Sequence, residues 1–368
     1  MKMMVLEISD LVQKFNSINK KDITEKLIDE IDNKKSIFRW SGQFSPKLID
    51  YLLENYSEKN TVVLDPFCGG GTVLFESARK NLEVFGFDIN PAAIQISEIA
   101  TLSNLSKNDR EYYLNKVDGL IFNLIEKLHE KSNDKRLKEV DFNIIKQFLN
   151  EIKEEVVLNI FTNVLMRFSI IENKYTISGL LKANEINKKI INELHFSNEK
   201  ITVSKLNSKK LPLKNKSIDL CITSPPYPGV FDYYKNYKKI MFLRNWNISE
   251  INKDEIGQKN QGSMSLNLFK YGKDIIKVFQ EINRTLKNNG RFILIVNKEV
   301  KINSKIIQNS LFLYMLASIS GFELIEKQER IYKNRNNVDS IEDILHFVPT
   351  SSSVEEKQLK NIIQYILK

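Results

Sequence analysis

Residues 61–72 read T-V-V-L-D-P-F-C-G-G-G-T. A short β-branched run ends in an acid, a proline-bearing turn and three successive glycines, and a helical pattern starts at Thr72. Such glycines let the backbone turn tightly between strand and helix and bring the main chain close to a ligand. The loop is not a P-loop, because no Gly-Lys-Ser/Thr follows. It is not the dinucleotide fingerprint either, because Thr72 and Val73 break the G-x-G-x-x-G spacing. The next apolar run, E-V-F-G-F-D over 83–88, ends in Asp88, in position for a carboxylate that accepts hydrogen bonds from both hydroxyls of a ribose. Loop and acid together predict a nucleoside cofactor.

Working outward, strand-like runs recur at 201–205, 218–223, 291–296, 323–332 and 343–349. With the first two they make seven strands. Helical patterns alternate with them, at Thr72 to Lys80, Pro91 to Leu105, Leu268 to Asn288 and Ser304 to Ser320. That alternation predicts an α/β fold with a parallel sheet covered on both faces. The last two runs are joined by the polar stretch Lys333 to Glu342, which is too short for a crossover helix, so they should pair antiparallel. Residues 89–200 far exceed the ~10–15 residues of a crossover connection. Apolar spacing at Leu120, Ile121, Leu124 and Leu128, and again at Phe142, Ile145, Phe148 and Ile152, is helical. Residues 106–195 therefore read as a helical insertion into a catalytic domain formed by 1–105 and 196–368.

The chain has 368 residues, ample for a large core, and 55 Lys and Arg against 46 Asp and Glu give it a formal charge of +9. A basic excess favours an acidic partner such as nucleic acid. Only Cys68 and Cys221 occur, in no metal-like spacing, which argues against a disulfide framework or a zinc site. Glu7 and Asp10 interrupt the first ten residues before any apolar core of signal-peptide length, and Leu311 to Phe322 is too short to span a bilayer. A cytoplasmic chain with no membrane association is the expectation.

A second loop carries the acceptor chemistry. I-D-L-C-I-T-S-P-P-Y over 218–227 sets Ser224, Pro225, Pro226 and Tyr227 directly after a buried strand, at the carboxyl edge where open α/β sheets bind ligands. Proline lacks a donor but keeps its carbonyl, so the stiff turn presents acceptors, the Ser224 hydroxyl among them. Those acceptors suit an exocyclic amino group, whose lone pair is delocalised until its hydrogens are held in tetrahedral geometry. Tyr227 would stack on a base flipped out of the duplex.

D-P-F-C-G-G-G-T followed by F-G-F-D-I-N-P resembles motifs I and II of the S-adenosylmethionine-dependent DNA amino-methyltransferases. S-P-P-Y resembles their motif IV, and F-R-W-S-G-Q-F-S-P-K over 38–47 resembles their motif X. The order is X, I, IV. The resemblance implies a Rossmann-like class I methyltransferase fold, with S-adenosyl-L-methionine held by Phe44, Ser45, Pro46, Asp65, Pro66, Phe67, Cys68, Gly69, Gly71, Thr72, Asp88, Ile89 and Asn90. It implies double-stranded DNA as partner and, for a restriction-modification role, a cognate restriction endonuclease acting separately. S-P-P-Y is the form associated with cytosine-N4 transfer, whereas D-P-P-Y or N-P-P-Y is more usual for adenine-N6. An RNA base-amino methyltransferase and an inactive recognition subunit are the other readings. One departure stands in V-S-K-L-N-S-K-K-L-P-L over 203–213, where Asn207 or Ser204 occupies the place of an acid in motif III. Target recognition falls either to 106–195 or to 228–268, the latter interleaving aromatics with Lys and Arg. As an amphipathic helix, its start would instead bury Phe242, Leu243 and Trp246. The histidines carry no assigned role.

Overall fold

The computed structural model describes residues 7–28, 44–130, 141–171, 176–228, 237–247, 254–257, 263–302, 304–333, 338–350 and 356–368. Its frame is one sheet of eight strands. In chain order these are β1 (Lys20–Asp22), β2 (Val62–Asp65), β3 (Glu83–Asp88), β4 (Ile201–Lys205), β5 (Ile218–Thr223), β6 (Leu286–Asn297), β9 (Phe322–Lys333) and β10 (Asp339–Pro349), while β7 (Glu299–Ile302) and β8 (Lys305–Gln308) form a separate hairpin. The order across the sheet is β1-β9-β10-β6-β5-β2-β3-β4. β4, β3, β2, β5 and β6 run parallel, and β10 is antiparallel to both β6 and β9. This is the doubly wound, Rossmann-like arrangement expected, with the chain reversing direction across the sheet between β2 and β5.

The sheet differs from the seven-strand expectation in three places, each for a local reason. β1 is short and charged and so carries no apolar pattern. It is held against β9 by Lys20, whose Nζ lies 3.0 Å from both Glu329 and Asp343. β8 occupies the start of the stretch read as one helix from Ser304. Ile307 buries against Val300 in the hairpin, and the helix begins only at Asn309. The helix expected to reach Asn288 ends at Thr285, because Lys216 and Ser217 donate to the Arg284 and Thr285 carbonyls at 3.0 and 2.8 Å, freeing the chain to extend into β6.

Helices cover both faces. After α1 (Ile8–Ser17) and α2 (Thr24–Ile28), one side carries α3 (Pro46–Tyr56), α4 (Thr72–Arg79) and α5 (Pro91–Ser97), which continues as a 3-10 turn to Asn104. α3 buries Leu48, Ile49, Leu52 and Leu53 completely, at about 1.5–3 kcal/mol for each side chain. The long connection between β3 and β4 holds α6 (Lys107–Glu130), α7 (Phe142–Glu151), α8 (Glu155–Ile171) and α9 (Ile177–Asn192). Their apolar faces share a continuous core with that side of the sheet. A short α10 (Lys238–Leu243) packs on α7 and α8. The opposite face carries the helices Met264–Thr285 and Asn309–Ile319 in a second core. No helix among the described residues is long and apolar enough to cross a membrane.

Candidate active site

The carboxyl ends of β2, β3, β4 and β5 open into one cavity with about 880 Å³ of empty space, open solvent included. Both loops picked out from the sequence line it: Phe67, Cys68, Gly69 and Thr72 from the glycine turn, and Ser224, Pro225, Pro226 and Tyr227 from the proline turn. Phe44, Asp88, Ile89 and Asn90 line it too, whereas Ser45, Pro46, Asp65, Pro66 and Gly71 of the expected set do not. The sequence-based assignment missed Gly70, Ser208, Asp254, Glu255 and Ile256 among the lining residues. Asn207, flagged only as a departure from motif III, lines the cavity, whereas Ser204 lies within β4 opposite Phe87.

The remaining expected residues shape the cavity from behind. Gly71 sits at φ 81° as the first cap of α4, and a Cβ there would stand 2.8 Å from that of Ser97, so the tight approach of α4 to α5 needs glycine. Pro46 opens α3 at its first position after Ser45. The rest of the motif X segment, 38–43, lies outside the described residues. The Pro66 carbonyl accepts from the Ser208 hydroxyl, which ties the glycine turn to the segment after β4.

Asp65 links the two loops. It is buried at the end of β2, and its Oδ1 accepts from the Thr223 hydroxyl at 2.6 Å and from the Phe67 N–H at 3.1 Å. Thr223 immediately precedes Ser224, so one carboxylate oxygen fixes the spacing of both turns. The other, Oδ2, is buried with no hydrogen-bond partner among the described residues. Burial raises the Asp65 carboxyl to about 7, against the pull of those two hydrogen bonds.

Asp88 is arranged differently. Its Oδ2 accepts from Gly69 N–H at 3.0 Å and its Oδ1 from Asn90 N–H at 2.8 Å, which locks the glycine turn to the end of β3. Ile89 N–H bonds the same carboxylate, and the acceptor capacity that remains would serve a ligand hydroxyl. Burial nonetheless raises it to about 6. Asn90 caps α5, accepting from Ala92 N–H at 2.9 Å, with Pro91 at the first helical position.

The proline turn is supported from the far side. Tyr227 is 8% exposed and packs with Val300 and Ile307 of the hairpin, and its hydroxyl accepts from Asn297 N–H at 3.1 Å. Above it, Gly257 adopts φ 84°, and a Cβ there would meet the Tyr227 carbonyl oxygen at 2.9 Å. Segment 254–257 therefore presses on the proline turn. Cys221 is fully buried in β5 and Cys68 is buried beside Ser97, and burial pushes both thiols up, consistent with small core residues. In the 237–247 segment Leu243 is buried and Trp246 half-buried, but Phe242 is 59% exposed under the Lys146 ammonium rather than in the core.

S-adenosylmethionine fits these residues. Ribose hydroxyls need an acceptor at the cavity wall, and the Asp88 carboxyl beside the Gly69 turn is placed to be one. Its cationic end is compatible with the aromatic and acidic lining of Phe44, Phe67, Asp254 and Glu255.

Comparison with known proteins agrees with the geometry. A family model described as DNA methylase matches residues 11–99, and one described as methyltransferase domain matches 57–171. Both end before Ser224. Type II methyltransferase M.MjaII of Methanocaldococcus jannaschii is 26% identical over 127 residues, covering 33% of this chain and 22% of that protein. The match thus spans about a fifth of the relative's length. Among solved structures, a SAM-dependent methyltransferase from Methanosarcina mazei overlaps 81% of this chain and 97% of its own at 11% identity and a TM-score of 0.37. An rRNA methyltransferase from Streptomyces viridochromogenes overlaps 90% of each chain at 11% identity and the same TM-score of 0.37. Overlaps that loose carry no functional weight. The glycine turn and Asp88 lie inside the stretch that is similar to DNA methylases, and they line one cavity with the S-P-P-Y turn, which lies outside that match.

Proposed function

We propose that this chain transfers the methyl group of S-adenosylmethionine to the exocyclic amino nitrogen of a base flipped out of duplex DNA, at cytosine N4 in a specific sequence. The observation that carries this reading is the meeting of the Asp65-to-Thr72 and Ser224-to-Tyr227 turns in one cavity, tied by the Asp65 to Thr223 hydrogen bond.

When bound, the cofactor supplies an electrophilic methyl on a sulfonium. Asp88 and Asn90 would hold the nucleoside end, and Phe67 and Phe44, which line the same cavity, would contact the rest of the cofactor. The Ser224 hydroxyl and the main-chain carbonyls of the proline turn accept the two amino hydrogens of the base, which localises the nitrogen lone pair. Formation of the N–C bond would break the sulfonium S–CH3 bond and leave a neutral thioether, and the amine, now cationic, would release a proton to solvent, so no strong base is required. The gain comes from position and electrostatics. Tyr227, anchored through its hydroxyl, offers a fixed ring for stacking. The +9 charge assists binding to phosphates.

Ser224→Ala should keep cofactor binding by titration calorimetry while lowering methyl transfer on the order of 100-fold, the scale for losing one positioned polar contact. Mass spectrometry of nucleosides from DNA treated with enzyme and cofactor reads N4-methylcytosine if the reading holds. N6-methyladenine would move the target base, and no methylated base in varied duplex DNA would end the proposal.

A further inference from the structure

A second cleft lies beside the cofactor cavity, around the same turn. Asn90 lines the cavity and Pro91 the cleft, and Asn207 and Lys205 divide in the same way. Its empty space is about 630 Å³, open solvent included. Four segments remote in sequence form it: α5 and the 3-10 turn with Glu98, α8 of the insertion with Asn159, the end of β4 with Lys205, and the stretch after the proline turn with Arg244 and Trp246. Both regions read from the sequence as alternatives for target recognition thus contribute to one surface.

The chemistry inside is polar and held in place. Asn163 Nδ2 donates to Asn159 Oδ1 at 2.9 Å, and Asn159 Nδ2 donates to Glu98 Oε2 at 2.6 Å. That chain fixes the carboxylate in the cleft wall. Both Glu155, also in the cleft wall, and Arg244 act on this carboxylate; Arg244 forms no ion pair with it, and the buried Arg244 Nε has no hydrogen-bond partner among the described residues. Two opposite charges left apart across a cleft, beside a half-buried indole, match a flat ligand whose edge offers donors to the acid and an acceptor to the guanidinium.

We propose that this cleft takes a second nucleobase of the substrate strand, seated on Trp246 and read along one edge by Glu98 and Arg244. Guanine presents that edge, with two N–H donors beside a carbonyl oxygen, and an unstacked base is commonly held by stacking and edge hydrogen bonds of this kind. The cleft would then select the nucleotide flanking the methylated base. This assignment rests on the proposed methylation of a DNA base.

The chain has two tryptophans, Trp40 and Trp246, so a Trp40→Phe background leaves Trp246 as the only indole reporter. GMP should quench its fluorescence saturably. Glu98→Gln, and independently Arg244→Gln, should weaken GMP binding about five-fold or more, the lower bound for losing a paired edge contact. Cofactor binding by calorimetry should be unchanged in both, which also shows that they fold. In DNA recovered from a methylation-free host, Glu98→Gln should relax the methylated sequence at one guanine position. A GMP response that is absent, or equal in wild type and both variants, overturns the assignment. GMP binding that depends on Glu98 in a protein that methylates no DNA base would keep the cleft and remove the proposed function instead.

Discussion

Replacing Asp65 by asparagine isolates the electrostatic load placed on the junction of the two loops. Burial lifts this carboxyl from 3.8 to about 7. A displacement of about three pH units corresponds to about 4 kcal/mol. Between those values the folded protein holds a proton that the unfolded chain has released. The residue's contribution is therefore fully favourable below pH ~4, declines as pH rises, and is lost above pH ~7. Asparagine does not titrate. Its oxygen can still accept from Thr223 and Phe67, but its NH2 replaces the buried, partnerless Oδ2, adding one unsatisfied donor beyond the O–H of the protonated acid, at about 1–3 kcal/mol. Asp65→Asn should thus be less stable than wild type by about 1–3 kcal/mol at pH 4 and more stable by a similar amount at pH 8, the profiles crossing between. Urea denaturation of both proteins at half-unit pH steps measures this directly. Parallel profiles, with no crossing, would mean that Asp65 titrates as an ordinary carboxyl and that its burial carries no charge penalty.

Asp88→Ala should weaken S-adenosylmethionine at least about ten-fold by calorimetry, the scale for hydrogen bonds to a charged group, and unchanged affinity would refute the ribose assignment. Gly257→Ala places a Cβ against the Tyr227 carbonyl at φ 84°, a strain of about 1–3 kcal/mol. It should lower kcat/KM on DNA while cofactor affinity holds, and full activity would show that 254–257 does not brace the proline turn. Tyr227→Phe strips the acceptor from Asn297 N–H and should destabilise the fold by about 1–3 kcal/mol, a loss read from the urea midpoint and absent if the hairpin re-forms around the ring.

The legible parts of the site were those whose chemistry is local. Gly69, Gly71 and the proline pair restrict the backbone by themselves, and Asp88 ends a strand whose β-branched and aromatic run announces it. Asn207 showed only as a deviation, because a short amide after a strand has no signature until the strand is paired. Asp254, Glu255 and Ile256 had none. They enter the cavity through the contact of Gly257 with Tyr227, some thirty residues away in sequence. β1 and β8 were unreadable for a related reason. Their strand form comes from partners across the sheet or hairpin, and their own residues show no alternation of apolar and polar.

By itself the sequence determined that strands and helices alternate around a parallel sheet, and that a glycine turn and a proline turn close two of the strands. Glycine, proline and β-branched residues set backbone preference within a few positions of themselves, so these features needed no distant partner. Only the tertiary structure decided that Asp65 binds Thr223 across β2 and β5, that the hairpin anchors Tyr227, and that the insertion and the stretch after the proline turn enclose one cleft. Each joins residues far apart in the chain, and such contacts depend on strand order and helix packing, which local preference does not encode.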